Sequence, residues 1–148
     1  FGRNPCSFLR HPAMPPLAAI GLVFPPGLDH CRGVLRGVRR YAEGKPGWAF
    51  AQAEADPRAA AGLRRLRPAG LIAYVCTRPL AAALRRFPGP VVNVCGALVD
   101  LPFPAVGIDN AAVGRAAAEH FLERGLRHFA FLGHGGFAFS TRRGEGFA

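Results

Sequence analysis

The sequence predicts an α/β fold with a doubly wound parallel sheet of about six strands. Short apolar runs alternate with segments whose apolar residues recur at helical spacing, which is typical of strands joined by crossover helices. The runs are apolar throughout rather than alternating with polar residues, as in strands that are buried on both faces. Because such crossovers are right-handed, helices are expected on both faces of the sheet.

The predicted strands are six short segments with Pro or Gly close by. The first is LAAIGLVF, which Pro25 and Pro26 follow, and the third and fourth each follow a Pro-containing turn. The six segments are residues 17–24, 48–53, 70–75, 90–94, 104–108 and 128–133. Residues 1–16 carry Pro and Arg without periodicity, so they are predicted to be a tail or linker, and residues 17–148 to be the folded domain.

Helices are predicted between the strands, at 31–44, 57–68 and 78–87, and after the fifth strand. Asp109 or Asn110 is a suitable N-cap for the helix after the fifth strand, and Gly125 supplies the left-handed residue that ends it. A last helix is expected to begin with Ser140 or Thr141 as its cap.

Composition and charge argue against several classes of function. The chain has 148 residues and a net charge of +10, but only one of its nineteen basic residues is lysine and the arginines are spread over the sequence. No basic arm or helix-turn-helix pattern is present, so direct DNA contact by this segment is not expected. No run approaches the ~18 apolar residues of a membrane span. The four cysteines lack metal-ligand spacing, which favours free thiols in a reducing cytoplasm and no metal or other cofactor.

Ligands of doubly wound folds bind beyond the carboxyl ends of the strands, which directs attention to the loops there. Phe24 could stack on a ligand ring or be buried in the core. Asp29 and His30 precede a helix, where either could face the ligand cleft, or Asp29 could simply cap the helix. Asp109 could accept hydrogen bonds from a ligand hydroxyl or only cap its helix. Arg143 could donate its planar guanidinium to a polar ligand.

A glycine-rich loop, Gly133 to Gly136, follows the sixth predicted strand. It could cradle a phosphate or an oxyanion, as in a small α/β enzyme or nucleotide-binding protein, or simply form a turn. The chain has no G-x-S-x-G nucleophile motif and no P-loop lysine, so an enzyme is not expected.

Three stretches together resemble the xylose-operon regulators. They are CRGVLRGVRRYAE after the first strand, VGIDNAAVGRAAAEHFLERGLRHFAFLG in the middle, and STRRGEGF near the end. That family consists of bacterial transcription factors with a lactose-repressor-like, periplasmic-binding-protein-like sensing region and a C-terminal DNA-binding domain of the arabinose-regulator type. The resemblance covers about Leu17 to Phe147. It implies that the chain is the first of two lobes that hold a sugar between them.

The resemblance implies a role for particular residues. Asp109 matches the acidic residue near the cleft, Arg143 matches the arginine that reaches the ligand, and Ser140 opens the last motif. The implied partners are a xylose-like monosaccharide, DNA only through a C-terminal domain that lies outside this sequence, and a second copy in a homodimer. FPPGLDHC departs from the polar first loop of the family. The alternatives are a small α/β enzyme or nucleotide-binding protein that uses the Gly133–Gly136 loop, and a periplasmic sugar-binding protein of the same fold.

Overall fold

Four of the predicted strands form one parallel sheet in the computed structural model, which describes residues 18–45 and 47–148. The strands are β1 (Ala18–Val23), β2 (Trp48–Ala53), β3 (Gly70–Ala73) and β4 (Val91–Asn93). Their order across the sheet is β2-β1-β3-β4, so β2 and β4 are the edges. The tail predicted for residues 1–16 lies outside the described residues.

Two helices begin next to side chains that cap their N-termini. α2 (Pro57–Leu63) starts with proline, and the Asp56 carboxylate accepts hydrogen bonds from the backbone N–H groups of Arg58 and Ala59. Thr77 caps α3 (Arg78–Leu84) in the same way. A 3₁₀ turn at Arg64–Leu66 extends α2, and the other helices are α1 (Asp29–Ala42), α4 (Asn110–Glu123) and α5 (Ala138–Phe147).

The sheet is covered on both faces, which confirms the doubly wound α/β class. On one face α2 and α3 bury a cluster that includes Leu63, Leu80 and Leu84 against Val23 and Val75. On the other face α1 packs on a second cluster. Its buried members are Leu22, Phe24 and Cys31, with Val34, Leu35 and Val38 half-buried around them.

The strand count is lower than predicted, four rather than about six. Residues 104–108 make a single parallel bridge from Ala105 to Asn93, because Pro102 and Pro104 lack the N–H groups that a longer ladder needs. Residues 128–133 pair with none of the described strands, and Leu132 is 99% exposed. Their apolar sequence indicated a capacity for burial, but they do not pair with either edge strand of the sheet.

α4 and α5 pack chiefly on each other rather than on the sheet. α4 ends as predicted, with Gly125 at φ +77° and Leu126 closing the turn on the Phe121 carbonyl. α5 begins two residues before Ser140, so the prediction of Ser140 or Thr141 as its cap is wrong. The Ser140 hydroxyl is occupied elsewhere, as described below.

An aromatic cluster joins the α4–α5 pair to the segment between them. Phe147 of α5 lies edge-on to Phe121 of α4 at 6.2 Å and to Phe129 at 5.4 Å, and Phe131 lies 5.6 Å from it. The rings explain why residues 128–133 stay against these helices without belonging to a sheet. Within the described ranges, none of the helices combines the length and apolar character that crossing a bilayer requires.

Candidate functional site

Asn93 connects the carboxyl ends of β3 and β4. Its side chain is 3% exposed, and its amide oxygen accepts hydrogen bonds from the N–H groups of Val75 (3.2 Å) and Cys95 (3.0 Å). Its amide nitrogen donates to the Cys95 carbonyl at 2.8 Å. A single buried amide thus fixes the loops after two adjacent strands, at the edge where ligands of such folds bind.

Arg143 is held over this edge by a polar and an aromatic contact. Its Nε donates to Oδ1 of Asn110 at 2.8 Å, and its guanidinium carbon lies 5.5 Å from the centre of the Phe139 ring. The remaining guanidinium nitrogens make no hydrogen bond to another described residue. They are therefore free to donate to a ligand.

Asp109 stands beside this group as the N-cap of α4. One carboxylate oxygen accepts from the Ala112 N–H at 3.0 Å, while the residue remains exposed. A carboxylate has two oxygens and about four acceptor positions. Capping therefore leaves capacity to accept from ligand hydroxyls, and both roles considered for Asp109 are compatible.

The N-terminus of α5 is tied to the loop after β4. The N–H groups of Ala138 and Phe139 donate to the carbonyls of Ala97 and Gly96, at 3.0 and 3.1 Å. These bonds bring Phe139 next to Gly96, where it meets Asn110 and Arg143. The Phe137 and Phe139 rings stack 5.4 Å apart, and the His134 ring stacks on Phe137 at 4.5 Å.

Ser140 is 6% exposed, and its hydroxyl accepts the His134 N–H at 2.7 Å. This bond closes the glycine-rich loop Gly133–Gly136 onto α5. The hydroxyl keeps its hydrogen and one lone pair, but the side chain is buried. Ser140 therefore supports the geometry around Phe139 in this structure rather than presenting itself at the surface.

The three candidate ligand-binding residues of the loop after β1 lie in different surroundings. Phe24 is 1% exposed and belongs to the core under α1, so it offers no face to a ligand. Asp29 is exposed and pairs with Arg32 one turn along α1. His30 is exposed, with its ring 6.2 Å from that of Tyr74. Among the described residues, neither Asp29 nor His30 forms a hydrogen bond or an ion pair with Arg143 or Asp109.

Three free thiols, Cys31, Cys76 and Cys95, lie at the same edge of the sheet. Burial raises the pKa of Cys31 and of Cys95 above the ordinary value of 9.0. Burial, together with a hydrogen bond to Cys95, raises the pKa of Tyr74 as well. Cys31 and Cys95 therefore stay protonated near neutral pH, which removes the thiolate that nucleophilic or metal-binding cysteines need.

The edge thus combines hydrogen-bond donors, acceptors and aromatic faces. That combination suits a small hydroxylated ligand, which needs polar partners around its rim and a flat surface for its apolar face. In the ranges that the structure describes, no cluster of His, Cys, Asp and Glu side chains has the arrangement of a metal site.

Sequence reasoning missed Asn93 and the roles of Asn110 and Phe139. A signal for Asn93 was present, since it is the one polar residue in the apolar run VVNVC. A polar side chain inside a strand buried on both faces requires internal hydrogen-bond partners. The contacts of Asn110 and Phe139 depend on how α4 meets α5, which no local pattern contains.

Solved structures with a similar fold include sugar-binding proteins and transcription regulators. The transcription regulator CcpA of Lactococcus lactis has a TM-score of 0.75 at 18% identity, and covers 88% of this chain and 51% of its own. The xylose-binding transcription activator XylR has a TM-score of 0.71 at 25% identity over 87% of this chain. A periplasmic ribose ABC transporter protein from Conexibacter woesei has 0.65 at 19% identity over 89%.

The chain spans only part of these proteins, 51% of CcpA, 34% of XylR and 49% of the ribose protein. No protein-family model matches the chain, and no curated protein matches it. The fold is thus that of lactose-repressor-type regulators and periplasmic-binding-protein-like sugar binders, at identities that carry the fold alone.

Proposed function

We propose that the chain is a monosaccharide-sensing part of a transcription regulator and is not an enzyme. The observation that carries the proposal is the group formed by Arg143, Asn110 and Phe139 next to Asp109, at the carboxyl edge of a doubly wound sheet. A guanidinium with free donors, a carboxylate with free acceptor positions and an aromatic face are what a sugar ring requires. The regulators and sugar-binding proteins of the same fold support this assignment.

We further propose that residues 17–148 supply one side of a two-lobed site. Known structures of this fold are about two to three times as long as the part this chain matches. A single side offers about half of the contacts and no closure around the ligand. We therefore expect the chain alone to bind a sugar with a Kd of about 1 mM or weaker, equivalent to roughly −4 kcal/mol.

The finer assignments follow from the sequence resemblance. The ligand is xylose-like, DNA is bound through a separate C-terminal domain, and the regulator acts in the cytoplasm as a dimer. The three free thiols favour this reading over an exported sugar-binding protein, because oxidising compartments promote disulfides. The ligand would close the two lobes by binding the closed conformation more tightly than the open one.

The test is a sugar titration followed by ¹H–¹⁵N NMR of the 148-residue chain. D-xylose, D-ribose, L-arabinose and D-glucose are added separately, and saturable shifts are expected at the amides of Asp109–Ala112 and of α5. Arg143→Gln should abolish the shifts. Arg142→Gln, on the adjacent exposed position, should leave them unchanged.

Two results would contradict the proposal. One is a set of saturable shifts that lies away from Asp109–Ala112 and α5, because the sugar would then bind elsewhere on the chain. The other is an equal effect of Arg142→Gln and Arg143→Gln. A micromolar Kd would contradict the proposal that this chain supplies only one side of the site, since one side of a cleft should not bind a monosaccharide so tightly.

A further inference from the structure

The charge of the chain is unevenly distributed along the sequence. Between Asp56 and Asp100 there are seven arginines and no carboxylate. This segment contains α2, β3, α3 and β4. Although arginines occur throughout the chain, those in this segment therefore have no carboxylate close to them in the sequence.

The fold gathers five of these arginines at one end of the sheet. In a parallel α/β layer the helices run opposite to the strands, so a helix ends where the next strand begins. Two turns connect α2 to β3 and α3 to β4, and both lie at the amino ends of the strands. They carry the arginine pole, which we define as Arg64, Arg65, Arg67, Arg85 and Arg86.

The two turns are in direct contact. The Arg64 guanidinium donates to the Arg86 carbonyl, and the Leu71 N–H donates to the Pro90 carbonyl at 2.9 Å. Between the turns lies an open hollow of about 410 Å³ lined by Arg64, Arg67, Pro68, Phe87 and Pro88. All five arginines of the pole are exposed, and two of them, Arg64 and Arg67, line the hollow.

Ion pairing does not account for these charges. Among the described residues the one ion pair is Arg32 with Asp29, at the opposite end of the sheet. A cation at a helix C-terminus interacts favourably with the helix dipole, but that effect is limited to the last turn and is screened by salt. Five exposed and unpaired guanidinium groups on two adjoining turns exceed what two short helices require.

We propose that the arginine pole binds the phosphate backbone of double-stranded DNA without sequence preference. Arginine presents a planar fork that matches phosphate geometry, and binding of several phosphates releases their counterions. The choice of DNA among polyanions rests on the proposed function, since a transcription regulator operates on DNA. The pole would add a non-specific contact to that of the domain that reads the operator sequence. The proposal thus departs from the sequence-based expectation that DNA is bound only through that domain.

The experiment measures binding of the 148-residue chain to a fluorescent mixed-sequence DNA duplex by anisotropy, between 50 and 200 mM salt and without sugar. The pole variant carries Arg→Gln at Arg65, Arg67, Arg85 and Arg86, which leaves the Arg64 hydrogen bond intact. The matched control carries Arg→Gln at Arg58, Arg115, Arg124 and Arg127, which are exposed and outside the pole. Both variants lose the same net charge.

We expect the pole variant to reduce the slope of log K against log salt by about 2 to 4, because each phosphate contact contributes ~0.9. The control should change that slope by less than about 1. The double variant Arg85→Gln/Arg86→Gln should lose about half as much as the pole variant, which guards against a fold defect from four changes.

Equal losses in the pole variant and the control would overturn the proposal, because net charge alone would then explain binding. Tighter binding of poly-glutamate than of the duplex at equal charge concentration would also overturn it, in favour of an acidic protein partner. Since no sugar is present, neither result bears on sugar sensing.

Discussion

Asn93 is the single side chain on which the carboxyl edge of the sheet depends most. Replacing it with alanine would leave the Val75 and Cys95 N–H groups and the Cys95 carbonyl without their partners. Unpaired buried polar groups cost about 1–3 kcal/mol each, with partial relief from water. We expect Asn93→Ala to lower the free energy of unfolding in urea by about 3 kcal/mol.

The matched control is Gln52→Ala, an exposed amide on the edge strand β2. A surface change of this kind should stay within about 0.5 kcal/mol of the parent. Similar costs for both variants would show that Asn93 does not hold the two loops together. Sugar-dependent shifts at α5 should also weaken in Asn93→Ala, since α5 is tied to the loop that Asn93 fixes.

The buried thiols and Tyr74 predict a loss of stability in alkaline solution. Their pKa values are raised in the folded protein, mainly by burial, from ordinary values of 9.0 and 10.0. Below pH 9 both states hold these protons, so the full stability is present. Above it the unfolded chain ionises first, and the free energy of unfolding falls as pH rises.

Urea unfolding at pH 8, 9 and 10 tests this dependence. Tyr74→Phe removes one of the groups and should make the decline above pH 9 less steep, even where the variant is less stable at pH 8. The same steepness in both proteins would show that Tyr74 is not protected from ionisation in the folded state.

At the scale of elements, α4 and α5 approach each other through two glycines. A Cβ atom on Gly114 would lie 2.0 Å from the Arg143 carbonyl oxygen, and one on Gly146 would lie 2.0 Å from that of Ala111. Both glycines belong to the sequence motifs that carried the family resemblance. Their physical role is to let two backbones touch, which also sets the distance between Arg143 and Asn110.

Gly114→Ala and Gly146→Ala should each destabilise the α4–α5 pair by about 1–3 kcal/mol, because backbone cannot yield as a flexible side chain can. Gly33→Ala is the control. It lies in α1, has open space around it, and should stabilise the protein by up to about 1 kcal/mol. Amide hydrogen exchange in α4 and α5 measures the effect locally. Unchanged protection in Gly114→Ala would contradict the close approach.

The elements also show what sequence patterns can and cannot predict. β2 has the predicted bounds, 48–53, and the predicted caps Asp109 and Gly125 are confirmed, because strand burial and helix capping depend on neighbouring residues. Residues 128–133 have the same apolar character as β1 but no partner strand among the described residues. The Arg143–Asn110 contact joins positions 33 residues apart. The spacing of apolar residues predicts that a segment can be buried, but it does not predict which other segment packs against it.

At the scale of the whole molecule, two properties have opposite effects on self-association: the high net charge and the exposed apolar side chains. A net charge of +10 keeps copies apart at low salt, while Leu132 and Val106 expose large apolar surfaces. Salt screens the repulsion over distances of about 10 Å at 0.1 M and leaves the apolar attraction in place. The chain should therefore be monomeric at low salt and self-associate as salt is raised.

Leu132→Gln/Val106→Gln should reduce this association without changing the thermal midpoint, because neither side chain contributes a buried contact of consequence to the fold. Ala130→Gln is the control, as it adds the same polar group to an exposed position while removing little apolar area. Light scattering after size exclusion at low and high salt gives the mass of each protein. Association that falls as salt rises would show that ionic contacts hold the copies together, and equal association in all three proteins would remove the exposed apolar residues as its cause.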